Sequence, residues 1–140
     1  MLKLGRKVEY ALMSIIHISD LEADTIVCSR EISDAYKIPP EVLCKVLQCL
    51  TKAEIITSIQ GIKGGYKLEH SLDDITIGQV IDVIEGPLSI TPCNCGDCER
   101  EDSCNIKNPV LEFQDQLQDF VYSIPLSSFK NKQPLAEGVI

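Results

Sequence analysis

Residues Thr91 to Cys104 read Thr-Pro-Cys-Asn-Cys-Gly-Asp-Cys-Glu-Arg-Glu-Asp-Ser-Cys, which gathers four of the seven cysteines, Cys93, Cys95, Cys98 and Cys104, into twelve residues. The stretch has neither helical nor strand periodicity, which predicts a loop that leaves several thiolates free to converge on one centre. Soft thiolates select zinc, copper(I) or iron–sulfur clusters. A zinc ribbon presents two Cys-x-x-Cys knuckles, and here Cys95/Cys98 is the single such pair, so zinc is the second choice. Four inert thiols on a polar loop would run against the burial preference of free cysteine. The other three, Cys28, Cys44 and Cys49, fall at helix positions or edges and read as packing residues. A thiol-redox enzyme built on Cys95-Gly96-Asp97-Cys98 would need a helix N-terminus in a βαβ setting, and the pattern offers neither. The chain therefore reads as a non-enzyme.

The elements that must carry this loop fit one domain with a helical arm, since 140 residues cannot fill two full cores. Apolar residues make up 44% of the chain, enough for a core, and no apolar run approaches a membrane span. Met1 to Ser19 lacks the uninterrupted apolar stretch and small-residue cleavage site of an export signal, so the expected location is cytoplasmic and the expected partners do not include a membrane. Net charge is −8, unevenly spread: residues 1–68 carry nine Lys/Arg against eight Asp/Glu, and residues 69–140 carry four against thirteen. The first half can approach a polyanion even though the sum is acidic.

Val8, Ala11, Leu12, Ile15 and Ile16 form the stripe of an amphipathic helix. Glu22 to Val27 reads as a connector, followed by a short helix capped by Ser29 that points Ile32 and Ala35 inward before a turn at Lys37-Ile38. Pro39-Pro40 opens another helix, with Leu43, Val46, Leu47 and Leu50 inside and Glu41, Lys45, Gln48 and Lys52 on the opposite face. Two short helices joined by a tight turn make a helix-turn-helix candidate. The β-branched run Ile55 to Ile59, the turn Gly61-Ile62-Lys63-Gly64-Gly65 and the return Tyr66-Lys67-Leu68 add a hairpin, the wing of a winged helix. Its glycines permit positive φ and close approach of backbone to a phosphate, or serve hairpin closure alone. Thr76 with Gln79 forms a capping box and Ile75 with Val80 a hydrophobic staple for a structural helix that Gly86-Pro87 stops. Asn108 caps a last helix with Pro109 in its first turn, and Val110, Phe113, Leu117, Phe120 and Ile124 follow the rhythm of a coiled-coil seam. In so small a chain the economical partner for such a seam is a second copy. The expected fold class is thus mainly α with a small β-hairpin: a winged-helix DNA-binding domain over 1–87, a cysteine-rich loop over 88–107, a dimerisation helix over 108–129 and a loose tail over 130–140.

Lys3 to Leu12, the helix-turn-helix at 29–52, the wing Gln60 to Leu68, Ile75-Thr76-Ile77 through Val83-Ile84-Glu85-Gly86, and the cysteine loop together resemble the Rrf2 family of IscR-, NsrR- and RirA-like bacterial regulators, from about residue 1 to 129. The resemblance implies a homodimeric winged-helix transcription factor whose long last helices cross at the dimer interface, with an iron–sulfur cluster near it. The family's three cysteines match best as Cys93, Cys98 and Cys104, and Cys95 is an extra thiol that could replace Cys93. This spacing is nearer to NsrR-like than to IscR-like members and favours a [4Fe-4S] cluster, with [2Fe-2S] as the alternative. The position of the IscR-type histidine ligand is Lys107 here, which excludes that ligand. In NsrR-like relatives the fourth ligand is a carboxylate from the first helix of the other subunit, which matches Glu9; Cys95 and His17 are its rivals, and a first-turn Glu also simply complements the helix dipole.

For DNA, the resemblance implies that Glu41, Lys45 and Gln48 face the major groove, where Gln addresses adenine, Glu the cytosine amino group and Lys guanine or phosphate. Gln60 and Lys63 would enter the adjacent minor groove or touch phosphate, and Arg30 and Lys52 would contact backbone. Gln60 stands where IscR-like proteins commonly carry arginine, which weakens minor-groove attraction. The expected function is an iron–sulfur-dependent regulator that binds operator DNA and senses redox, nitric oxide or iron status. A zinc-stabilised winged-helix module without sensing is the alternative.

Overall fold

In the computed structural model, whose described residues are 3–91 and 98–130, the chain runs α1 (Arg6–Ser19), α2 (Ser29–Tyr36), α3 (Pro40–Lys52), β1 (Ile56–Ile59), β2 (Gly65–Leu68), a single 3-10 turn (Leu72–Asp74), α4 (Ile77–Glu85), α5 (Lys107–Tyr122) and α6 (Ser127–Lys130). The stripe on α1 buries Val8, Ala11, Leu12, Ile15 and Ile18 against Leu43, Val46, Leu47 and Leu50 of α3 and Val80 and Ile81 of α4. Each such side chain contributes roughly 1.5–3 kcal/mol when taken out of water, so this three-helix contact dominates the fold's stability.

Helix α2 closes the core with Ile32 and ends where Lys37 enters the left-handed region at φ 56°. The turn delivers Ile38 into the interior, and the Ser33 hydroxyl donates to the Ile38 carbonyl at 2.7 Å. Two sequence expectations fail here. Ser29 is the first helical residue, Cys28 occupies the cap position without a side-chain bond, and Ala35 is exposed while Ser33 is buried. At α4 the expectation holds: the Thr76 hydroxyl accepts from Gln79 N–H at 3.2 Å, and Thr76 N–H donates to Gln79 Oε1 at 2.9 Å. The Glu85 carboxylate lies against Gly5 at the N-terminus of α1, where it complements the helix dipole.

Strands β1 and β2 pair antiparallel with Ile56 opposite Leu68 and Ile59 opposite Gly65. Val27, read from sequence as connector, extends this sheet: its N–H donates to Tyr66 O at 2.9 Å and its carbonyl accepts from Tyr66 N–H at 2.8 Å. The last helix is shorter than the expected 108–129. It starts at Lys107 with Ile106 at the cap, so Asn108 lies inside its first turn, and it ends at Tyr122. Ile124 to Leu126 then run beside Ile75 to Ile77, with Ile77 N–H on Ile124 O at 3.0 Å and Leu126 N–H on Ile75 O at 2.8 Å. Leu126 is fully buried and fastens the arm to the core. None of the helices in the described residues is long and apolar enough to cross a membrane.

Candidate nucleic-acid interface and cysteine segment

Burial of Leu43, Val46, Leu47 and Leu50 fixes the rotation of α3, and the same rotation leaves Glu41, Lys45, Gln48 and Lys52 exposed as one polar stripe. Arg30 on α2 is exposed beside it, with only a loose 3.9 Å approach to Asp34. Cys28, Cys44 and Cys49 are all exposed, which corrects their reading as packing residues. The two narrow apolar rows of α3 are filled by aliphatic side chains, so its cysteines have no core position to take. Cys44 lies near enough to the wing to act on Tyr66: burial, and then the thiol's charge, raise the Tyr66 phenol above its ordinary pKa.

The wing tip, Gln60 to Gly64, is a tight turn in which Gly64 N–H donates to Gly61 O at 3.0 Å. Gln60 and Lys63 are exposed on it. Of the wing glycines, Gly61 adopts positive φ, at 116°. Gly64 and Gly65 serve close packing instead, since a Cβ would stand 2.1 Å from Ile59 O at the first and 2.4 Å from Val27 O at the second. Gly65 with half-buried Tyr66 thus locks the wing to the Val27 strand rather than opening a space for phosphate.

In the cysteine segment, Cys93 and Cys95 lie outside the described residues. Cys98 is exposed and Cys104 half-buried, both as free thiols. Between them two consecutive turns fold the chain back, with Glu101 N–H on Cys98 O at 3.2 Å and Ser103 N–H on Arg100 O at 3.1 Å. Lys107 at the start of α5 pairs with Glu101 at 3.0 Å. On the upstream side, Gln114 accepts from Ile90 N–H at 2.8 Å and Gln118 donates to Leu88 O at 2.9 Å, so α5 grips the strand of chain that enters the segment. Among the described residues no three His, Cys, Asp or Glu groups converge on a point that could hold a metal ion.

Glu9 is half-exposed on α1, 3.8 Å from Arg6, at the edge of an open apolar cleft of about 380 Å³ formed with Leu4, Met13, Ile16, Tyr36 and Phe129. His17 is already engaged on both ring nitrogens, Nδ1 with the Tyr36 hydroxyl at 2.7 Å and Nε2 with Glu31 at 3.0 Å. Both ring nitrogens thus have protein partners, and His17 would have to release one of them to bind a metal. Burial and the carboxylates of Asp20 and Glu31 raise the Tyr36 phenol above its ordinary pKa. On α5, Phe113 and Phe120 are 50% and 61% exposed and continue a line begun by Ile106 at 59%. The seven-residue interval puts all three on one side. Val110 and Leu117 flank them half-buried, and Ile124 lies beyond the helix end.

The sequence profile of Rrf2, described as an iron-dependent transcriptional regulator, matches residues 4–132. The chain belongs to the Rrf2 family. A protein of Rhodobacter capsulatus named as an rrf2-like HTH-type transcriptional regulator is 29% identical over 119 residues, covering 78% of this chain and 79% of the relative. An HTH-type regulator of Aquifex aeolicus is 30% identical over 118 residues, 81% of each chain. Among solved structures, CymR of B. subtilis, the global cysteine regulator, superposes with a TM-score of 0.73 at 23% identity, covering 96% of this chain and all of that one. T. potens IscR gives 0.72 at 23% identity, covering 98% and 94%. This Rrf2 protein is therefore a transcriptional regulator with a winged-helix fold, and not an enzyme.

Several residues that position the Rrf2 site escaped the sequence reading. Gln114 and Gln118 sit four apart on α5, a spacing that puts both on one face, and that i, i+4 pair of uncharged amides beside the helix's acidic residues is the available signal. Val27 and Leu126 carried no such local mark, because each is defined by a partner far away in sequence.

Proposed function

We propose that this Rrf2 protein binds operator DNA as a homodimer and that an iron–sulfur cluster held by its cysteine segment sets the DNA affinity. The observation that carries the DNA reading is the polar stripe Glu41, Lys45, Gln48 and Lys52, braced by a fully buried opposite face on a helix that is followed directly by a hairpin whose tip exposes Gln60 and Lys63. Arg30, Lys52 and Lys63 hold phosphates, and Glu41, Lys45 and Gln48 read base edges in the major groove. The homodimer reading rests on the line Ile106, Phe113 and Phe120, an apolar patch that a second copy of the same helix covers.

The donor set fits the cluster: free thiols at the exposed Cys98 and the half-buried Cys104 on a folded-back loop, joined by Cys93 or Cys95, with Glu9 of the partner subunit as the oxygen donor. Bound there, a cluster supplies exchangeable iron coordination and one-electron redox chemistry. The protein converts it into geometry. Gln114, Gln118 and Lys107 tie both ends of the segment to α5, the helix that carries the dimer face, so tension at the thiols acts on subunit spacing. A few kcal/mol of such bias is enough to shift a two-state equilibrium strongly.

Anaerobic purification with a visible spectrum and assays for iron, sulfide and zinc tests this reading. Visible absorption with stoichiometric iron and sulfide, lost in Cys98→Ala together with cluster-dependent operator binding, is the expected result. A colourless protein carrying zinc, or a Cys98→Ala variant that keeps both properties, overturns it.

A further inference from the structure

Ile62 is 107% exposed, more than any other large apolar side chain among the described residues. The remaining exposed apolar groups mostly have company: Ile106, Phe113 and Phe120 line one side of α5, and Leu4, Met13, Tyr36 and Phe129 surround the cleft beside α1. Ile62 stands apart, at a corner of the wing turn closed by Gly64 N–H on Gly61 O, with Lys63 at the other corner. The support beneath it is firm. Strand pairing continues to Ile59 opposite Gly65, and the next residue, Tyr66, is bonded on both sides of its backbone to Val27. A β-branched side chain is stiff about χ1, so the tip presents a fixed apolar wedge flanked by a cation and by the polar Gln60.

Lys63 satisfies itself on a phosphate, but Ile62 gains nothing from phosphate or water. The major groove offers an apolar side chain the thymine methyl, but in the minor groove, where the wing is proposed to sit, the large apolar surface is the face of a base pair, exposed when a step unstacks. We propose that Ile62 inserts from the minor groove into a base step and partly unstacks it, so that the wing selects deformable pyrimidine–purine steps, TA or CA/TG. This supplies the wing with sequence preference where Gln60 offers little attraction to a narrow groove. The proposal rests on the DNA-reading assignment of α3 and the wing.

Selection of bound duplexes from a random pool, with full-length wild type and with Ile62→Ala, tests both separately. The expected wild-type sites carry a half-site sequence and, at a fixed offset from it, a TA or CA/TG step. Ile62→Ala keeps the half-site, loses the step preference, and binds the wild-type site about tenfold more weakly. With 2-aminopurine placed at the step, binding of wild type brightens the probe and binding of Ile62→Ala leaves it quenched. An unchanged thermal melt shows that the exposed substitution leaves the fold intact. If Ile62→Ala selects the same step and still brightens the probe, or if wild-type sites share a half-site without any preferred step, the wedge is wrong and DNA reading stands. A pool in which wild type enriches no sequence overturns the DNA reading and the wedge with it.

Discussion

Gln114 is buried, and it spends its side-chain carbonyl on the Ile90 N–H just before the cysteine segment. Removing it empties a buried side-chain position and strips the half-buried Ile90 N–H of its partner, which costs about 1–3 kcal/mol. Gln118 makes the neighbouring bond to Leu88 O from a more open position, where water can replace the lost donor. In urea unfolding, Gln114→Ala is therefore expected to lower the unfolding free energy by about 1–3 kcal/mol, and Gln118→Ala by about 1 kcal/mol or less. Amide exchange at Ile90 separates this from a general loss of packing: Gln114→Ala speeds that amide far more than amides inside α1. Equal protection at Ile90 in wild type and variant would show that the clamp does not hold the segment's entrance.

Leu126 shows how an element can depend on a residue outside it. The arm α5 docks at its C-terminal end, where the Tyr122 ring packs on Gly78 of α4 and Leu126 fills the core. Leu126→Ala removes a fully buried side chain and is expected to cost about 2–5 kcal/mol. A calorimetric melt showing a loss below about 1 kcal/mol would mean that the site collapses around the cavity. What sequence could and could not tell about these elements follows from how local each determinant is. The capping box at Thr76 and Gln79 is written in four consecutive residues, and the α1 and α3 stripes in the helical period, so both were legible. Leu126 and Val27 are set by pairing with Ile75 and with Tyr66, partners dozens of residues away, and no periodicity announces them. Ala35 was misassigned because α2 ends at the left-handed Lys37, and Ile38 from beyond the turn takes the interior place. The grip of α5 on the entrance of the cysteine segment and the engagement of His17 by Tyr36 and Glu31 emerge only from tertiary contacts.

At the scale of the whole molecule, a net charge of −8 should repel DNA, yet residues 1–68 hold nine basic residues against eight acidic ones. The acid sits mainly in the second half, and on α5 Glu112, Asp115 and Asp119 are exposed. Screening lengths of about 8–10 Å at ordinary salt let the reading face act on phosphate while distant acid is damped. Salt dependence then counts the contacts. With the proposed contacts of Arg30, Lys52 and Lys63 in two subunits, about six phosphates would be neutralised, and the expected slope of log affinity against log salt is near −5. Lys63→Ala removes one contact per subunit and should flatten the slope by about 2. Phe113→Gln/Phe120→Gln replaces two exposed apolar groups of α5 without adding charge, so the fold is expected to persist while the proposed dimer face is lost. The double variant is expected to elute as a monomer, bind far more weakly and show about half the wild-type slope, because a lone subunit reaches one half-site. Anisotropy titrations on a selected duplex between about 50 and 200 mM salt, with mass from light scattering, read both quantities together. A monomer that keeps the full slope would show that one subunit carries all the phosphate contacts, and the paired arrangement of recognition helices would have to be abandoned.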